Sequence, residues 1–152
     1  MIREHGLVEL AENISTGLAG RLQLLVGTID RLDRLDTGSG DWLENFDALE
    51  LEEEAGQLVL RALHVLSDPR NYIVLEELSK SDSVPLQALV ENTQLGRVSL
   101  TERLNDLAQV GFASRLIDTD YAQITAAGAS AVDLVQLLSA QLAEIYKKRK
   151  NR

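Results

Sequence analysis

Few residues in this sequence have the chemistry to make or break a bond. There is no cysteine, which excludes disulfides, thiolate metal sites and cysteine nucleophiles. The two histidines, His5 and His64, are far apart. No glycine-rich phosphate loop, metal-ligand spacing or nucleophile–base pair is present. The expectation is no enzyme, no catalytic residue, no bound metal and no cofactor. What remains are side chains of non-covalent recognition. Between Asp82 and Tyr121 the cations are Arg97, Arg103 and Arg115, set among Asp82, Glu91, Glu102, Asp106, Asp118 and Asp120. Three arginines are few for holding phosphate, although a dimer doubles them. A second group of cations, Lys147-Lys148-Arg149-Lys150, then Arg152, closes the chain. Cations suit the C-terminal end of a helix. Most such tails are solvated, and contact with phosphate is the alternative.

The elements that must position these residues are mostly helical. At 152 residues, the chain is long enough for one domain with extensions and a real core. Aromatics make up only 4%, so leucine carries most of the apolar content. The net charge of −9 argues against indiscriminate nucleic-acid binding, and is compatible with a local basic patch. No apolar run approaches the roughly 20 residues of a bilayer span, and the N-terminus lacks the form of a secretory signal. A cytoplasmic protein with no membrane contact is expected.

Residues 1–36 are expected to form a helical arm. Leu7, Ala11, Ile14, Leu18, Leu22, Leu25, Ile29 and Leu32 recur at spacings of three and four, like a coiled-coil seam. Gly17, Gly20 and Gly27 each cost a helix about 1 kcal/mol. Either a partner surface compensates or the helix breaks near Ser15-Thr16-Gly17. Dimerisation is one reading of this arm, and packing on its own domain is the other. Residues 37–48 form a linker, and Asp41 to Glu54 holds seven acids and no base. Trp42, Leu43 and Phe46 within it suit an anchor onto the core, or alternatively a contact for a basic partner.

Residues 49–125 read as the central domain. A helix over about 49–66 carries Leu51, Ala55, Leu58, Ala62 and Val65 inward, with His64 packed and hydrogen-bonded near them. Asp68-Pro69 opens the next helix, with Asp68 as N-cap and Pro69 at the first turn. Ile73, Val74 and Leu78, with Leu75 beside them, form its apolar stripe. After a turn at Ser81-Asp82-Ser83, Val84 suits a short edge strand and Pro85 opens another helix. Thr93-Gln94-Leu95-Gly96 is a turn. Arg97 to Val110 is a helix with Leu100, Leu104 and Leu107 inward, stopped by Gly111. Residues 112–117 and 121–125 alternate like strands around Asp118-Thr119-Asp120. Residues 126–152 form a long helix, striped by Ala131, Leu134, Leu138, Leu142 and Ile145, with the basic tail. Three helices followed by a hairpin give the fold class: mainly α with a small β-hairpin wing, a winged helix-turn-helix with long N- and C-terminal helices.

Residues 61–128 resemble bacterial and archaeal winged-helix transcription regulators. Arg61-Ala62-Leu63-His64-Val65-Leu66-Ser67-Asp68-Pro69-Arg70, continued by Ile73 to Leu78, is similar to the opening of the ArsR family. Ser99 to Phe112 resembles that family's recognition helix, and Ile124-Thr125-Ala126-Ala127-Gly128 resembles the wing closure of MarR-type proteins. The resemblance implies a homodimer with each recognition helix in a major groove and each wing on the backbone. It implies DNA contacts from Arg97, Ser99, Thr101, Arg103 and Asn105, with Arg115 bracing the wing. It also implies dimerisation through the terminal helices, by Leu18, Leu22, Leu25 and Ile29 and by Leu134, Leu138, Leu142 and Ile145.

The charge pattern departs from the resemblance. On a helical wheel the face opposite Leu100 centres on Val98, Glu102, Asn105 and Gln109, flanked by Thr101 and Asp106. Glu102 stands where these regulators often carry arginine, and a carboxylate there repels phosphate. The turn between the strands offers two aspartates. Two functions follow as expectations. One is a dimeric DNA-binding transcription regulator. The other is a winged-helix protein-interaction module, whose acidic face docks a basic partner and has little affinity for DNA.

Overall fold

The computed structural model describes residues 4–37, 48–116 and 118–151, with side chains from 6–23, 50–116 and 118–151. The expected anchor at Trp42, Leu43 and Phe46 lies outside the described residues, as do the side chains of Leu25 and Ile29. The described chain is mainly helical: α1 (Glu4–Thr37), α2 (Ala48–Ser67), α3 (Pro69–Leu78), α4 (Leu86–Thr93), α5 (Arg97–Gln109) and α6 (Ala126–Lys150). Its strands are β1 (Val84–Pro85), β2 (Ala113–Leu116) and β3 (Tyr121–Ile124), forming one antiparallel sheet in the order β1-β3-β2. This is the winged helix-turn-helix architecture, with the β2–β3 hairpin as the wing.

The core lies where α3, α4 and α5 meet the sheet. Val74, Leu75, Leu78, Leu89, Leu100, Leu104, Leu107 and Phe112 are fully buried there. Three of the four residues expected in the stripe of α3 are buried, and Asn71 takes the place of Ile73. Ile73 is exposed, and Asn71, Val74, Leu75 and Leu78 are buried. These four share the i, i+3, i+4, i+7 face of one helix. Asn71 can start that face because its Nδ2 donates to the Val65 carbonyl at 2.9 Å, tying α3 to the end of α2. The Asp68 carboxylate accepts from the Arg70 backbone N–H at 2.9 Å, which is the capping geometry expected of it.

α1 does not break at Ser15-Thr16-Gly17. It runs on because α6 of the same chain covers that side. A methyl at Gly17 would lie 2.6 Å from the Ala127 Cβ, so the glycine lets the two helices touch. Asn13 Nδ2 donates to the buried Ser130 Oγ at 3.0 Å across the same seam. Ile14 packs against the core and Leu18 is buried in it. His64 departs from expectation: its side chain is exposed, two positions after the buried Ala62 and one before the half-buried Val65. The first half of α2 also differs, since Leu51 is exposed and Ala55 and Leu58 are only half-buried. α6 has enough length and apolarity to cross a membrane, contrary to the reading of the bare sequence. Its first half instead packs as a core helix, through Ala127, Gly128, Ala131 and Val132.

The wing joins α6 through one residue. Thr125 Oγ1 accepts from the Gly128 N–H at 3.1 Å, capping α6, and donates to the Gly111 carbonyl at 2.6 Å. A Cβ at Gly128 would lie 2.0 Å from the Phe112 carbonyl oxygen. The motif from Ile124 to Gly128 therefore has a physical reason: a capping hydroxyl, and a glycine where two backbones press together.

Candidate nucleic-acid interface

The helix-turn-helix is α4, the turn Gln94-Leu95-Gly96 and α5. Gln94 takes a left-handed conformation (φ 62°), and its N–H closes on the Val90 carbonyl at 3.1 Å. Thr93 Oγ1 donates to the Leu89 carbonyl at 2.6 Å and anchors the end of α4. Gly96 then starts α5 with no capping side chain. Leu100, Leu104 and Leu107 fix the inward face, so the opposite face is free. Val98, the most exposed large apolar side chain of the described fold at 77%, marks the centre of that face.

α5 ends in a Schellman arrangement. The Phe112 N–H donates to the Leu107 carbonyl at 2.9 Å, and the Gly111 N–H donates to the Ala108 carbonyl at 3.1 Å. Gly111 takes φ +82°, where a side chain would be strained. Arg21 of α1 adds its guanidinium to the Ala108 carbonyl. A cation there complements the negative end of the helix. The bare sequence gave no hint of this partner, because 87 residues separate the two.

The sequence-predicted residues divide on the structure. Arg97 is exposed at the first turn of α5, and its guanidinium lies 3.8 Å from Asp120 at the wing tip. Thr101 is half-buried and returns its hydroxyl to the Arg97 carbonyl at 2.9 Å. Ser99 is half-buried, Asn105 is exposed and Arg115 is exposed on β2, opposite Ala122. Arg103 is placed differently. Its side chain is only 14% exposed, against 59% for Arg97, and it reaches Asp68 at 3.0 Å and Asp106 at 3.4 Å. Asp68 thus ties three things together: the N-terminus of α3, the Arg70 side chain at 3.3 Å and the middle of α5. The Arg70 hydrogen bonds, with Arg103 adding to them, hold the Asp68 carboxyl below its ordinary pKa. Arg103 therefore sets the angle of α5 and adds little charge to its outer face.

The outer face is left mixed in sign. Glu102 is 65% exposed in its centre, and Asp118 and Asp120 are exposed on the turn. The expected dimer residues also divide. Leu18 is covered by its own chain, and Leu22 and Leu134 are half-buried. Leu138, Leu142 and Ile145 are exposed. Among the described residues no group of three or more His, Asp or Glu could hold a metal ion.

The chain matches no protein-family model, and no curated protein matches it. Two solved structures are similar in fold. One is the transcriptional repressor BigR from Xylella fastidiosa, at 23% identity and a TM-score of 0.48, over 62% of this chain and 95% of that one. The other is ligand-free NadR, at 20% identity and a TM-score of 0.40, over 68% of this chain and 95% of that one. The winged-helix assignment rests on the chain's own element order and strand register.

Proposed function

We propose that the chain is a dimeric transcription regulator that binds duplex DNA, of the ArsR- or MarR-like winged-helix type. The outer face of α5 is the observation that supports this most. It is the second helix of a helix-turn-helix, it stands clear of its own fold, and it begins with Arg97 beside the wing. Such a helix fits a major groove about 12 Å wide. Arg97, Ser99, Thr101 and Asn105 would then meet the groove, and Arg115 the flanking backbone. The dimer would be held by α1 and α6.

Titration of the full chain against duplex fragments at low salt, including the promoter beside its own gene, tests the reading. The expected result is weak binding that strengthens in Glu102→Gln, which removes a like charge from the groove face. Arg97→Ala should weaken binding by about 1–3 kcal/mol if Arg97 reads a guanine. If no fragment binds below about 100 micromolar, the usual upper limit for non-specific binding, DNA is the wrong partner. The burial of Arg103 favours the second reading in that case. With Arg103 withdrawn, Glu102, Asp118 and Asp120 outnumber the exposed Arg97 and Arg115, and the face suits a basic protein.

A further inference from the structure

Two apolar surfaces of the described fold are left uncovered by their own chain. One is the far half of α6. From Leu138 to Asn151 every residue is exposed, and Leu138, Leu142, Ile145 and Tyr146 form a stripe at helical spacing. Lys147, Lys148, Arg149 and Lys150 follow in the last turn. The other surface is a groove along α2. Ala55, Leu58, Val59 and Leu63 line it, with Leu18 and Leu22 of α1 at one end and Leu134 and Leu138 of α6 at the other. Glu52 lies on the row of Val59 and Leu63, seven and eleven residues before them on α2, with Glu53 and Glu54 beside it around the helix.

The two surfaces match in order, in charge and in spacing. Glu52 to Val59 is seven residues of α2, and Arg149 to Leu142 is seven residues of α6, two turns on one face and about 10.5 Å each at about 1.5 Å per residue. Glu52 to Leu63 and Arg149 to Leu138 are both eleven residues, again on one face, about 16.5 Å. One antiparallel register therefore sets cations on acids, Leu142 on Val59 and Leu138 on Leu63. It also brings together helix ends of opposite dipole. The chain does not make this contact with itself, because α6 leaves its own fold at Leu138.

We propose that the α6 tail of each copy lies in the α2 groove of a second copy, with Arg149 of its basic end set on Glu52. This rests on the dimer reading above and supplies its register. The pairing closes on itself. Leu63 and Leu138 of one chain border the same part of the groove. Placing the second copy's Leu138 on Leu63 thus brings the two Leu138 side chains together at a two-fold axis. A symmetric dimer requires such a self-complementary contact. The charge spacing alone set the register, and the closure follows from it.

The test uses native mass spectrometry and sedimentation equilibrium on the full chain and two charge-reversed forms. One carries Lys147→Glu, Lys148→Glu, Arg149→Glu and Lys150→Glu. The other carries Glu52→Lys, Glu53→Lys and Glu54→Lys. Each form alone should dimerise about tenfold or more weakly than the parent, since like charges face each other. An equimolar mixture should pair as heterodimers, because both of its tail–groove contacts are then matched. The chain has no cysteine, so Leu138→Cys gives a second readout: a short bis-maleimide should join its two copies and should not join those of Val98→Cys. A parent that is monomeric at tens of micromolar overturns both this contact and the dimer reading. A dimeric parent whose reversed forms dimerise equally well overturns the contact alone. Reversed forms that fail to pair when mixed, or a dimeric Leu138→Cys form that does not cross-link, overturn it too. So does a tail-reversed form that stays dimeric but loses binding to duplex DNA or anionic lipid vesicles, because the partner of the tail is then phosphate.

Discussion

Asp68 shows how much one side chain can fix. It caps α3 through the Arg70 N–H, and it holds Arg103 in the flank of α5. Its carboxyl is held below its ordinary pKa, first by the Arg70 side chain. The unfolded chain therefore takes up this proton before the folded one as pH falls. The stability involved is whole above about pH 4, the ordinary range for an unfolded aspartate, and drains away as pH falls toward the lower folded value. Asp68→Ala should cost about 1–2 kcal/mol near neutral pH, and thermal melts should show that cost shrinking by about pH 3. An equal cost at both would remove the charge from the account. The cap was legible in the sequence because Asp-Pro is a local signal. The tie to Arg103 was not, because the two lie 35 positions apart and Arg103 shares its helix with the side chains of the outer face. The glycines give a second contrast. Gly128→Ala drives a methyl into the Phe112 carbonyl at 2.0 Å and should destabilise by about 3 kcal/mol. Gly20→Ala meets nothing within 4 Å on an exposed helical site and should stabilise by about 0.5–1 kcal/mol. Chemical denaturation of the two variants checks both signs.

Helices whose signals are local were legible as elements. α5 has three leucines on one face, a left-handed glycine after its end and turn residues before its start, all within about twenty positions of each other. The short β1 strand was legible from Val84 ahead of Pro85, and it pairs with Ala122 and Tyr121 of β3. What could not be read was which surface each apolar stripe meets. The α1 stripe gave the same spacing for a dimer arm and for a helix on its own domain. The structure gives Ile14 and Leu18 to its own core, through a seam with α6 that Gly17 permits. That seam also brings α1 to the end of α5, where Arg21 holds the Ala108 carbonyl. Arg21→Ala should cost about 1 kcal/mol, since it leaves a part-buried carbonyl with one donor fewer. Hydrogen exchange should quicken at the Gly111 and Phe112 amides that close α5, while the amides of Val74 and Leu75 in α3 keep their protection. Quickening in both places would mean that Arg21 supports the whole core and not the end of one helix.

Over the whole molecule, the proposed role sets a chain of net charge −9 against a polyanion. A dimer carries twice that charge, so long-range repulsion opposes the encounter, and local contacts must overcome it. The salt dependence of binding reads the number of those contacts directly, because each neutralised phosphate contributes about −0.9 to the log–log slope. With Arg103 withdrawn to Asp68, each subunit offers Arg97 and Arg115. Two subunits then give four contacts and a slope of about −3.6. Six contacts would give about −5.4, and would mean that Arg103 leaves Asp68 to meet the DNA. The variants separate these cases. Arg97→Ala should reduce the slope by about 1.8 for the dimer if Arg97 meets phosphate and not a guanine, with its melting temperature nearly kept in either case, since its ion pair with Asp120 is exposed. Arg103→Ala should leave the slope unchanged and lower the melting temperature, since it strips the partner from Asp68 inside the fold. If the two variants exchange these phenotypes, with Arg103→Ala changing the slope and Arg97→Ala the melt, the positioning role of Arg103 is wrong. The acidic face would then have to be reconsidered as one that opens when DNA arrives.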